Sequence, residues 1–322
     1  MTSVRTRFAP SPTGDLHLGG AYVALASWVL ARRCAGAFVL RMEDLDLPRV
    51  VPGSAERILD DLRWLGLHWD EGPDVGGPHG PYAQSTRTAL YEARLTTLAD
   101  AGLVYPCDCS RAEIARSASA PHAGEEVVYP GHCRDKDPAR IGRRPFAARL
   151  RVDAVPITAH DEVAGAFTQR LDVDVGDFAL QRSDGLFTYQ HAVAADDDDM
   201  RITHVLRGAD LLASTPRQIH LIALWRGRWG GTPPSYGHLP LVVDSQGARL
   251  EKRSRGMRVR TLREAGIAPE RVVGALAYAL GLTHAPDPLS ARELAETRDL
   301  PAWRPESWRI PNAFAELDAE PS

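Results

Sequence analysis

The chain has 322 residues, of which 44% are hydrophobic and 25% charged, and its formal net charge is −4. That length supports two or three hydrophobic cores, and the composition is that of an ordinary soluble globular protein. The charge excludes an overtly basic nucleic-acid binder, although a local basic face would not show in the sum.

No apolar run approaches membrane-spanning length, and the N-terminal arginines precede no apolar core, so neither a membrane anchor nor a signal peptide is expected. Of the four cysteines, Cys107, Cys109 and Cys133 lie close together. They argue against a secreted disulfide scaffold and for a cytosolic, cytoplasmic protein with a metal site. Among 38 basic residues only Lys136 and Lys252 are lysine. A chain so biased to arginine keeps lysine where a compact ammonium is wanted.

In chain order, Val4, Thr6 and Phe8 alternate as a strand does, and Pro10, Pro12 and Gly14 break that strand into a loop. A helix is expected from His17 to about Arg33, with Gly36 as its stop, followed by a buried strand over Ala37 to Met42. Strand, helix and strand in some forty residues make one βαβ unit of a parallel sheet. The first amides of its helix, with Gly19 and Gly20 open to close approach, form an anion site. Glu43-Asp44-Leu45-Asp46 follows the second strand, where open α/β sheets place their ligands.

Further on, Ser54 reads as the N-cap of a helix ending at Gly66, and a second helix is expected from Ser85 to about Ala101. Cys107-Asp108-Cys109 then opens a segment closed by Tyr129-Pro130-Gly131-His132-Cys133. Strands are expected through Ala147–Ile157 and Phe167–Val173, with a hairpin from Phe178 to Tyr189 turning at Asp184-Gly185. The run Asp196 to Asp199 reads as a solvated turn. The pattern returns to α/β with a strand at Ile202–Arg207, a helix at Thr215–Trp225 and a strand at Leu239–Val243. A basic loop, Gly247 to Arg253, comes next, then helices beyond Thr261 and from Pro269. Cys34 is expected to be a packed core thiol on the first helix.

Together these pieces resemble the class I aminoacyl-tRNA synthetases that activate glutamate. His17-Leu18-Gly19-Gly20 resembles their HIGH motif and Arg249-Leu250-Glu251-Lys252-Arg253 their KMSKS loop. Arg7-Phe-Ala-Pro-Ser-Pro-Thr-Gly14, Arg41-Met-Glu-Asp-Leu-Asp46 and Arg207-Gly-Ala-Asp-Leu-Leu212 resemble glutamyl-type blocks in the right order. The resemblance covers about residues 4 to 255. It implies a Rossmann-like α/β catalytic domain in two halves, 1–102 and 191–256. An α+β acceptor-type insertion with a zinc knuckle (103–190) would split it, and a small helical C-terminal region (257–322) would follow. Little chain follows the KMSKS-like loop, and the Cys-x-Cys…Tyr-x-x-x-Cys pattern is similar to that of a shortened branch of the family. That branch places glutamate on the queuosine base of tRNA(Asp) rather than on a tRNA 3′ end. ATP, L-glutamate and queuosine-bearing tRNA(Asp) are the implied partners, and the pattern asks for nothing beyond a monomer.

Glutamate carries two carboxylates and one ammonium, so its site wants two cations and one anion; Arg7, Arg207 and Glu43 supply them. By resemblance Arg7, Phe8, Ala9, Pro10 and Ser11 flank the amino acid with Arg207, Glu43 takes its ammonium, and Tyr189 closes the pocket. Adenylate formation needs donors aimed at the phosphates, and His17 and Lys252 fit that need, with Gly19 and Gly20 beside ATP. Mg²⁺ is expected on the phosphates. Arg249 and Glu251 depart from the family's loop. Cys107, Cys109 and Cys133 offer three soft ligands for a structural Zn²⁺, and the family supplies the fourth from Tyr129, while His132 is a chemically easier donor beside Cys133. The alternatives are a truncated synthetase charging a tRNA 3′ end and a catalytically silent, zinc-containing RNA-binding paralogue.

Overall fold

The computed structural model describes residues 3–110, 112–114, 128–137, 145–227, 232–243, 257–296 and 299–307. The basic loop with Arg249, Glu251, Lys252 and Arg253 lies outside the described residues. Strand β1 (Arg5–Phe8) leads through the Pro/Gly loop into α1 (Leu18–Arg33) and on to β2 (Ala37–Leu40). β1 and β2 pair in parallel from Arg5–Ala37 to Phe8–Leu40, so the expected βαβ unit is present. α1 is buried along most of its length, because β1 and β2 cover one side and two C-terminal helices the other. Its apolar residues accordingly run around the helix rather than along a stripe. Gly36 answers to packing as much as to helix termination: a Cβ there would sit 2.1 Å from the Val4 carbonyl oxygen.

α2 (Ser54–Trp64) and α3 (Thr88–Asp100) follow. Ser54 is not the cap. Left-handed Gly53 precedes the helix, and Ser54 Oγ donates to the Gly14 carbonyl, tying α2 to the loop after β1. β3 (Val104–Cys107) and β4 (Ala147–Leu150) form a small antiparallel sheet with β7 (Ala179–Gln181). Between them lie the hairpin β5 (Pro156–Asp161) and β6 (Gly165–Arg170), then one helical turn, α4 (Leu171–Asp174), where a strand was expected. Burial of Leu171 alone does not require a strand. The hairpin turning at Asp184-Gly185 is present, with Gln181 bridging Phe187.

α5 (Tyr189–Asp199) then carries Asp196 to Asp199, so the expected solvated turn is a helix end whose Asp196 and Asp197 are buried. β8 (His204–Gly208), α6 (Thr215–Trp225) and β9 (Ser235–Leu239) complete the second half. The strand expected at Leu239–Val243 thus lies several residues earlier. The main sheet runs β2-β1-β8-β9-β5-β6; its first five strands are parallel and β6 is antiparallel to β5. The β5–β6 hairpin therefore extends the same sheet that holds β1 and β2. Helices α7 (Val259–Glu264), α8 (Pro269–Leu280) and α9 (Ala291–Glu296) follow, and α8 and α9 pack against α1. Cys34, the residue that caps α1, is half-buried and packs against the main core, as a core thiol would. Among the described residues, no helix is long and apolar enough to cross a membrane.

Candidate active site

The C-terminal ends of parallel β1, β2, β8 and β9 meet the N-terminus of α1, and there a cavity of about 290 Å³ opens. Arg7, Phe8, Ala9, Ser11, His17, Gly19, Gly20, Glu43, Tyr189 and Arg207 all line it. Pro10 does not. Its carbonyl instead accepts the Glu43 amide at 2.9 Å, which fixes the strand end that carries Glu43.

His17 caps α1 with its ring: the Gly20 amide donates to Nδ1 at 3.0 Å. Neutral imidazole bound that way holds its proton on Nε2. A Cβ on Gly19 would stand 3.1 Å from His17 Nδ1 and 3.2 Å from Cε1, so glycine there makes room for the ring. A side chain at Gly19 would thus crowd the histidine, a reason for glycine that the sequence alone does not reveal.

Arg7 is 4% exposed. It donates through Nε to Asp197 at 3.3 Å and through a terminal nitrogen to the Leu206 carbonyl at 3.1 Å. Arg207, 3% exposed, is held on three nitrogens: Nε by His238 Nε2 at 2.9 Å and the other two by Gln218 Oε1 and Thr215 Oγ1, each at 2.8 Å. Such held forks are preorganised to meet carboxylates.

Glu43 accepts from Arg41 at 3.1 Å, and the same guanidinium donates to Asp197 at 2.8 Å. Arg41 is fully buried, which disfavours its charge, yet Asp197, Asp196 and Glu43 raise its pKa above the ordinary arginine value. Burial raises the Glu43 carboxyl above its ordinary value, against the pull of Arg41 and Arg7. Burial works the same way on Asp197, but Arg7 and Arg41 outweigh it and hold the group low. Tyr189 opens α5 at the mouth, 38% exposed, and the helical repeat puts Asp196 and Asp197 about two turns below it on the same face.

Sequence reasoning missed Arg41, Asp197 and His238 as site residues. One signal was available: an arginine inside the apolar run AFVLRM demands a buried acid, and the Asp196-Asp197 pair was the candidate. A second cavity, of about 300 Å³, adjoins the first through Ser11, Glu43 and Tyr189 and runs toward Asp46, Arg49 and Phe187.

Apart from this site, the Sγ atoms of Cys107, Cys109 and Cys133 lie within 4.8 Å of one another and could hold a metal ion. The buried Tyr129 hydroxyl is 3.3 Å from Cys107 Sγ and 3.8 Å from Cys109 Sγ, whereas His132 is exposed. Three thiols this close together are a donor set suited to a soft metal ion.

Comparison with known proteins agrees with this geometry. A family model described as tRNA synthetases class I (E and Q), catalytic domain, matches residues 3–299. The glutamyl-Q tRNA(Asp) synthetase of Symbiobacterium thermophilum is 48% identical over 314 residues, covering 95% of this chain and 95% of that one. A protein of the same name from Nitratidesulfovibrio vulgaris is 47% identical over 286 residues, 87% of each chain. Among solved structures, the glutamate-tRNA synthetase of Elizabethkingia anophelis is similar with a TM-score of 0.82 at 29% identity, covering 98% of this chain and 69% of that one. The chain belongs to the class I tRNA synthetases of the E and Q group.

Proposed function

We propose that this class I ligase activates L-glutamate with ATP and transfers it to the queuosine base of tRNA(Asp). The observation that carries the activation step is the placement of Arg7, Arg207 and Glu43 around one cavity at the start of α1. Two fixed guanidiniums and one carboxylate complement an amino acid with two carboxylates and one ammonium. The acceptor assignment is supported by relatives that carry the glutamyl-Q name and match along 95% and 87% of their own length.

In the chemistry, a carboxylate oxygen of glutamate attacks the α-phosphorus of ATP, and pyrophosphate leaves with the electrons of the broken P–O bond. The acceptor then attacks the acyl carbon and AMP leaves. Arg7 and Arg207 hold the carboxylates, Glu43 takes the ammonium, and Tyr189 closes the mouth. His17 Nε2–H and the first amides of α1 face developing phosphate charge, an arrangement that costs no reorganisation during reaction. Lys252 supplies a further cation to the phosphates, and Mg²⁺, carried in with ATP, would supply charge neutralisation for the pyrophosphate.

Cys107, Cys109, Cys133 and Tyr129 hold one structural zinc ion, and residues 103–190 act as the part that receives the acceptor. Metal analysis should return one zinc per chain, falling well below that in Cys109→Ser; zinc-free wild-type protein of unchanged stability would contradict the site. For the reaction, purified protein with Mg²⁺ and no tRNA should exchange pyrophosphate into ATP with glutamate but not with aspartate or glutamine, and Lys252→Ala should lose the exchange. No exchange with glutamate, or equal exchange with all three amino acids, would sink the reading.

A further inference from the structure

We propose that His238, kept neutral with its proton on Nδ1 by Asp161, is the positioning residue that aims Arg207 into the glutamate pocket; this rests on the reading that Arg207 holds a carboxylate of glutamate. The sheet itself builds the line. Arg207 on β8 lies in register with His238 on β9, and Asp161 ends β5, the next strand over. His238 is 1% exposed. Arginine Nε–H can only donate, so His238 Nε2, 2.9 Å away, must accept and carries no proton. Nδ1 therefore holds the ring proton and donates to Asp161 Oδ2 at 2.5 Å.

Asp161 is fixed in turn: its Oδ1 accepts the amides of Val163, Ala164 and His238 at 2.8–3.0 Å. Burial alone would raise the carboxyl, but the bond from the His238 ring, helped by these amides, outweighs it and holds the group at about 2. With Nε taken by His238 and the terminal nitrogens by Gln218 and Thr215, three of the five N–H donors of Arg207 are committed. The remaining two can meet a ligand carboxylate only in the orientation those bonds set. Tyr236, two residues before His238 on the same strand face, packs its ring under the guanidinium at 5.5 Å. Asp161 also opens the β5–β6 connection, so a shift of that hairpin would reach the pocket through two hydrogen bonds.

The isosteric Asp161→Asn tests the line. Its amide oxygen can keep the three backbone amides while its NH₂ faces His238 Nδ1. The imidazole must then carry its proton on Nε2, against the Nε–H of Arg207. Histidine ¹⁵N spectra, assigned with His238→Gln, should give Nδ1–H in the wild type and Nε2–H in Asp161→Asn. The glutamate KM should rise about 10- to 100-fold, the span of one hydrogen bond to a charged group, with kcat and the ATP KM little changed. His238→Leu should share the defect, and His238→Gln, which keeps an acceptor, should be partly rescued. Nε2–H in the wild type would overturn the proposal without any substrate present. So would equal losses in kcat, ATP KM and glutamate KM with His238→Gln no better than His238→Leu. A wild type that shows the Nδ1–H form but no glutamate-dependent exchange would contradict the functional reading and not the contact.

Discussion

Asp197 shows how much of the pocket rests on one buried carboxylate. It binds both Arg7 and Arg41, and Arg41 also binds Glu43, so a single acid underlies two of the three groups assigned to glutamate. Removing one member of a buried ion cluster leaves its partners charged and unpaired, at a cost of about 3–5 kcal/mol. Asp197→Asn should lose roughly that much stability in denaturant unfolding, and the glutamate KM should rise with it; a loss under about 1 kcal/mol would mean that the cluster is not coupled as described. The same residue marks a limit of sequence reading. Four consecutive aspartates look solvated, and only the three-dimensional partners Arg41, Arg7 and Arg87 make two of them core residues. Arg7, Glu43 and Arg207 were legible because each lies in a block that resembles the glutamyl-type synthetases. His238 was not, because its role depends on register across three strands.

At the level of elements, α5 links the pocket to the body of the protein. Tyr189 stands at its start, and His191 in the same first turn stacks on Phe187 and meets Tyr91 and Trp225 edge-on, joining α5 to α3 and α6. His191 is fully buried, and its Nε2 bonds the Tyr91 carbonyl at 2.9 Å. Burial lowers its pKa from 6.5 to about 4. Between those values the unfolded chain binds a proton that the folded one does not, so stability falls as pH drops from about 6.5 toward 4. The loss attributable to this residue is about 3 kcal/mol, and His191→Phe should flatten that part of the stability–pH curve. An unchanged curve would show that the ring titrates normally. Helices α1, α6 and α8 fell where the sequence places them. The strand expected at Leu239–Val243 was displaced because Ser235–Leu239 contains Gly and His, which carry little β signal, while a later apolar run carries more.

For the molecule as a whole, two cavities meet at Ser11, Glu43 and Tyr189. The first is the cavity proposed above for the amino acid and ATP, and the second adjoins it at these three residues. The small sheet β3–β4–β7 and the cysteine cluster lie in the same stretch of chain whose β5–β6 hairpin joins the main sheet. The most direct measurement is transfer of labelled glutamate to purified tRNA(Asp) in the presence of ATP. The account predicts label only on tRNA that carries queuosine, retained when the 3′-terminal adenosine has been removed. Label that needs the 3′ adenosine and ignores queuosine would contradict it.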